Sequence, residues 1–194
     1  MAHARVCVIE AGTSMDYRRP RNSHGRCPAA GPNRAANNGA PMSKSLFLDD
    51  LQVGQQWHGG PIEMTEADII RFASEYDPQP MHIDTAAAAN GRFGGIIASG
   101  WHVASVVMRD FVEAAPFGST PLLGLKIDDL TWRVPVRPGD VLRITREVVD
   151  IARSKSKPDR GVLTMRMTVT NQEGSVVMAF TNLIQMPTRP DIDS

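Results

Sequence analysis

Asp77 and His82 stand five residues apart in "YDPQPMHID" (76–84), with Pro78 and Pro80 between them. A carboxylate and an imidazole can move protons near neutral pH, provided both are held at one point. Regular structure would part them. Five residues rotate about 140° around a helix axis, and an odd separation puts two side chains on opposite faces of a strand. The prolines fix two φ angles and remove two backbone donors, which predicts a stiff, irregular loop that aims both groups together. A plainer reading also fits: Asp77 starts a turn before a proline, and His82 packs structurally.

A third group follows in "ASGWH" (98–102). Ser99 is a natural N-cap, and the N–H of Gly100 at the helix N-terminus can donate to a developing oxyanion. Acid, base and oxyanion donor thus fall between Asp77 and Gly100.

These residues need elements to hold them. In "EMTEADIIRFASEY", Thr65 is placed to cap a helix, with Asp68 three residues on, and Ile69, Phe72, Ala73 and Tyr76 recur on one face. That helix must stop before Pro78. Asp84 can cap a short turn, "TAAAAN", closed by Gly91. From about Trp101 to Ala115 the chain is apolar on nearly every face, including Val103, Val106, Val107, Met108 and Phe111. Such a helix belongs inside a protein, with something wrapped around it. Strands follow. Leu125 and Ile127 alternate in one phase, and Leu130, Trp132, Val134 and Val136 in the other, so a bulge is predicted at Asp128–Asp129. "RPGD" and "NQEGS" read as turns between the later strands. The order is strand, helix, loop, apolar helix, then four antiparallel strands, an α+β layout.

The chain has 194 residues, 42% hydrophobic and 22% charged, a single-domain length and composition. Residues 1–41 carry six Arg against Glu10 and Asp16, a net +4, and read as a disordered extension; translation starting at Met42 is the alternative. Residues 42–194 hold fifteen basic and nineteen acidic residues, a net −4 that argues against sequence-independent nucleic-acid binding. Both cysteines, Cys7 and Cys27, fall in the extension, so neither a disulfide framework nor a Cys-based metal site is expected in the rest. No apolar run approaches a membrane span, and a cytoplasmic setting is expected. Residues 191–194 read as a tail.

Three segments resemble the MaoC-like dehydratases, relatives of the (R)-specific enoyl-CoA hydratases: Tyr76-Asp77-x-x-Pro80-Met81-His82-x-Asp84, Phe93 to Gly100, and Pro135-Val136-x-Pro138-Gly139-Asp140. The resemblance covers about 46–187. It implies a hot-dog fold over 42–190, an antiparallel sheet wrapped around one long central helix, as a homodimer or higher homo-oligomer. It also implies an acyl-CoA thioester substrate, with coenzyme A as part of it and no metal or other cofactor. Asp77 and His82 match the family's catalytic pair and Gly100 its backbone donor, for reversible syn addition of water to a trans-2-enoyl thioester giving a (3R)-hydroxyacyl product. Gln79, Ser99 and Trp101 are expected against the substrate. The chain has Gln79 where the hydratases usually have Asn, Ser99 where they often have His, and Met108 at a helix Ser. A hot-dog thioesterase and a non-catalytic acyl-thioester binder are the competing functions.

Arg153, Lys155, Lys157 and Arg160 could meet coenzyme A phosphates, or could be a solvated hairpin tip. His58 and His102 could join the site or be ordinary structural histidines. Met165 and Met167 read as core or interface packing, and Trp132 as packing on the central helix.

Overall fold

Alternating apolar residues build five strands, described here from a computed structural model that covers residues 45–190. The N-terminal extension, Met42 and the 191–194 tail lie outside the described residues. After a single 3-10 turn, Leu48–Asp50, the elements are β1 (Gln56–Glu63), α1 (Glu66–Tyr76), α2 (Pro80–Ile83), α3 (Thr85–Ala89), α4 (Gly100–Ala114), β2 (Leu123–Trp132), β3 (Val141–Arg153), β4 (Arg160–Thr170) and β5 (Val176–Pro187). The strands form one antiparallel sheet in the order β1-β3-β4-β5-β2, so the chain's second strand lies on an edge. This is the antiparallel sheet around a long helix that the hot-dog expectation describes.

Each predicted helix start is present. Thr65 Oγ1 accepts from the Asp68 N–H, Asp84 from the N–H groups of Ala86 and Ala87, and Ser99 Oγ from the Trp101 N–H. The bulge falls where the phase slips: the β2–β5 register shifts between Asp128 and Thr131, and Asp129 takes φ 54°. β2 ends at Trp132, so Val134 and Val136 lie past the strand.

Two expectations need revision. The 77–84 segment is not wholly irregular, because Pro80–Ile83 makes one helical turn that carries His82. Pro80 sits in its first turn, where a missing N–H costs nothing and a fixed φ suits the helix. The α4 helix is also only half wrapped in the single chain. His102, Val103, Val106 and Val107 are buried, while Trp101, Met108 and Val112 are 58%, 50% and 66% exposed.

The inner face of α4 packs on Leu142, Ile144, Met165, Met167 and Ile184 of the sheet. Buried Arg146 on β3 pairs with Asp110 on α4, and Asp110 also accepts the Gly60 N–H at 3.1 Å. A Cβ on Gly59 would collide with that ion pair, so the glycine leaves the room that lets it form. The helix is therefore fixed in rotation as well as in depth.

Candidate active site

The end of α1 and the single turn of α2 bring acid and imidazole together. Asp77 caps α1 at φ −152°, Gln79 is extended, and α2 then turns His82 back, leaving Nε2 3.5 Å from Asp77 Oδ2. On the other side of the ring, His82 Nδ1 lies 2.7 Å from the Ile97 carbonyl oxygen. A carbonyl can only accept, so Nδ1 carries the proton there and Nε2 is the nitrogen that faces the carboxylate. His82 is buried, whereas the Asp77 side chain is 20% exposed.

Asp77 is held ionised. Gln79 Nε2 donates to Oδ1 at 2.7 Å and Ser99 Oγ donates to Oδ2 at 2.7 Å. The Gln79 bond, then the Ser99 bond, hold the Asp77 carboxyl below the usual carboxylate range; partial burial opposes them and His82 adds a smaller favourable contribution. Ser99 therefore serves twice, accepting from the Trp101 N–H as the cap of α4 while its proton goes to Asp77.

The Gly100 N–H is the first of α4 and has no hydrogen-bond partner among the described residues. Behind it stands Trp132, whose Nε1–H donates to the Gly100 carbonyl at 3.0 Å. A Cβ at position 100 would lie 2.5 Å from the Trp132 ring, so only glycine fits. Trp101 meets Trp132 edge-on at 5.4 Å.

A cavity of about 520 Å³ opens over these groups, lined by Asp77, Gln79, His82, Gly100 and Trp101. A second cavity, about 200 Å³, lies on the other side of Trp101 between α4 and the sheet. Its walls include Met108, Phe111, Leu130, Met165 and Phe180, with no charged residue. Expected substrate contacts thus divide. Trp101 borders both cavities and Gln79 lines the first, while buried Ser99 turns to Asp77.

The four basic residues expected near phosphates lie elsewhere. The Ala98 N–H reaches the Val136 carbonyl and the Arg133 N–H that of Val177, so the site sits where β4 turns into β5. Arg153, Lys155, Lys157 and Arg160 occupy the β3–β4 turn at the opposite end, roughly 35 Å of strand away. Arg153 pairs there with Asp49, beside an open cleft of about 970 Å³, and Arg160 pairs with Asp159 at 2.6 Å. His58 is near Thr145 on the sheet. His102 is buried against Phe72, rings stacked at 4.7 Å. Sequence reasoning missed Arg92 and Arg133, which line the large cavity. Their positions held the signal: Arg92 precedes the Gly-rich Phe93–Gly100 run, and Arg133 follows Trp132 at the strand end.

Residues 51–171 match the family described as MaoC like domain. The solved MaoC-like dehydratase from Rhodospirillum rubrum is 39% identical, covering 76% of this chain and 100% of its own, with a TM-score of 0.69. The R-hydratase PhaJ1 from Pseudomonas aeruginosa is 25% identical, covering 77% and 93%, with a TM-score of 0.62. The 3-hydroxybutyryl-CoA dehydratase of Methylorubrum extorquens is 25% identical over 155 residues, 79% of this chain and 92% of the relative.

Proposed function

Since the chain belongs to the MaoC-like dehydratase family, we propose that it catalyses reversible syn hydration of a trans-2-enoyl-CoA to the (3R)-hydroxyacyl-CoA. Hydratase/dehydratase chemistry is supported at the level of the family. The observation that carries the specific reading is the pairing of an ionised Asp77 with His82 Nε2 at 3.5 Å, in one cavity with the free Gly100 N–H.

The thioester carbonyl accepts from the Gly100 N–H, helped by the partial positive charge at the α4 N-terminus. Water sits between Asp77 and His82. Asp77 takes one of its protons as the oxygen bonds to C3, and the C2=C3 electrons move to C2 and the carbonyl oxygen. His82, carrying a proton on Nε2, delivers it to C2 on the same face. Asp77 is then protonated and His82 neutral, and one proton crossing the gap between them restores the starting pair. The acyl chain extends past Trp101 into the apolar cavity walled by Met108 and Phe111. No residue among those described is asked to form a covalent intermediate.

Two further parts of the reading rest on surface and composition. A second copy is proposed over the exposed side of α4 and the edge strand β2. No helix among the described residues is long and apolar enough to cross a membrane; a cytoplasmic setting is proposed from the lack of cysteine in residues 42–194.

The test is loss of the conjugated enoyl absorbance when protein meets crotonyl-CoA and longer enoyl-CoAs, with thiol release followed in parallel and the product resolved by chirality. Asp77→Asn and His82→Ala are each expected to lower hydration by at least about 100-fold with an unchanged circular-dichroism spectrum. Thiol release without hydration would assign a hydrolase instead. Full activity in the folded double variant would remove both residues from the mechanism.

A further inference from the structure

The two cavities that meet at Trp101 differ in charge. The apolar one has no ionised lining residue, whereas the larger one holds Arg92 and Arg133 beside the Asp77–His82 pair. We propose that Arg92 and Arg133 bind the phosphate of the phosphopantetheine arm that carries the thioester; this rests on the thioester reading above.

Both guanidiniums are exposed, and neither has a carboxylate partner among the described residues; Arg92 lies 5.7 Å from the Phe93 ring centroid. Arg71, Arg153, Arg160 and Arg189 pair with Asp68, Asp49, Asp159 and Asp50; among the arginines without such a pair, Arg92 and Arg133 are the two that line this cavity. Residues 42–194 are net acidic, yet this cavity sets two guanidiniums against one carboxylate, and that carboxylate is already engaged by Gln79 and Ser99. Two free cations at the mouth of a cleft concentrate an anionic ligand there, and the guanidinium fork matches phosphate oxygens. The segments bearing them are stitched together, because Arg137 Nη2 donates to the Phe93 carbonyl at 2.7 Å and the Ala98 N–H to the Val136 carbonyl at 2.8 Å. Polarity sets the direction of the substrate. An acyl chain goes to the uncharged cavity, so the anion on the cationic side belongs to the carrier arm.

The experiment compares crotonyl-CoA, crotonyl-phosphopantetheine and the crotonyl thioester of N-acetylcysteamine, which has no phosphate. In Arg92→Gln and Arg133→Gln, the preference for crotonyl-CoA over the cysteamine thioester is expected to fall about ten-fold per substitution, through KM. If crotonyl-phosphopantetheine tracks crotonyl-CoA, the phosphate next to pantetheine is the one held; if it tracks the cysteamine thioester, the arginines read only the adenosine-side phosphates and the assignment to the arm is overturned. Equal losses on all three substrates, or a loss from Lys155→Gln/Lys157→Gln with none from the arginines, would overturn it too. Calorimetry with 4′-phosphopantetheine alone separates this inference from the chemistry. Binding that needs both arginines in a protein that hydrates nothing would uphold the site and sink the hydratase reading.

Discussion

Two neighbours of different origin lower the pKa of Asp77. Gln79 lies two residues along the chain, and Ser99 comes from the start of α4. Removing either donor withdraws a bond that favours the ionised form, so Gln79→Ala and Ser99→Ala should each move the Asp77 titration up toward the ordinary carboxylate value, Gln79→Ala by more. A carbon-NMR titration of the Asp77 carboxyl reads this directly; no movement in either variant would break the assignment. The linkage has a definite sign. The folded pKa lies below the unfolded one, so the pair's stabilisation is present above about pH 4 and is lost as pH falls through the lowered folded value. That Asp77 and His82 meet was legible in the sequence, because one continuous helix or strand would have parted them. The partners of Gln79 and Ser99 were not, since they depend on the one turn of α2 and on the distance between two helix ends.

At the scale of the element, α1 and α4 meet through His102. Its ring stacks on Phe72, and its Nδ1 is buried without a hydrogen-bond partner. Burial depresses its pKa; Asp68 on α1 opposes that shift, while Arg71 on α1 and Arg109 on α4 reinforce it. A histidine with a lowered folded pKa is protonated more readily in the unfolded chain. Stability should thus be full above about pH 6.5 and decline below it until the folded pKa is passed. Urea unfolding at about pH 5.5 and about pH 7.5 should show this decline, and His102→Phe should flatten it while keeping the stack. An equal slope in the variant would place the sensitivity elsewhere. Helix starts were legible because Thr65, Asp84 and Ser99 are capping residues in front of apolar periodicity. The turn at Pro80 was obscured because a proline that ends one helix can also open the next.

The whole molecule leaves one side unfinished. The sheet covers Val103, Val106 and Val107, yet Trp101, Met108 and Val112 on α4 and Leu123, Leu125 and Ile127 on β2 stay about half exposed or more. β2 is also an edge with unpaired backbone. A second copy against this side is expected to give a dimer by sedimentation at micromolar concentration, and Leu125→Glu to give a folded monomer; a monomeric wild type at tens of micromolar would refute the arrangement. Strand order in the sequence and the slip at Asp128–Asp129 were readable from alternation alone. Incomplete wrapping of α4 was not, because all-round apolarity does not say how much of the helix the sheet reaches. The contact between Trp132 and Gly100 has a consequence for substitution. A side chain at position 100 must displace the indole, and a smaller residue at 132 gives up the bond that steadies the Gly100 peptide. The two positions are thus coupled, and Gly100→Ala and Trp132→Ala combined are expected to cost less stability than the sum of the single changes, which a double-mutant cycle measures; strict additivity would refute the coupling.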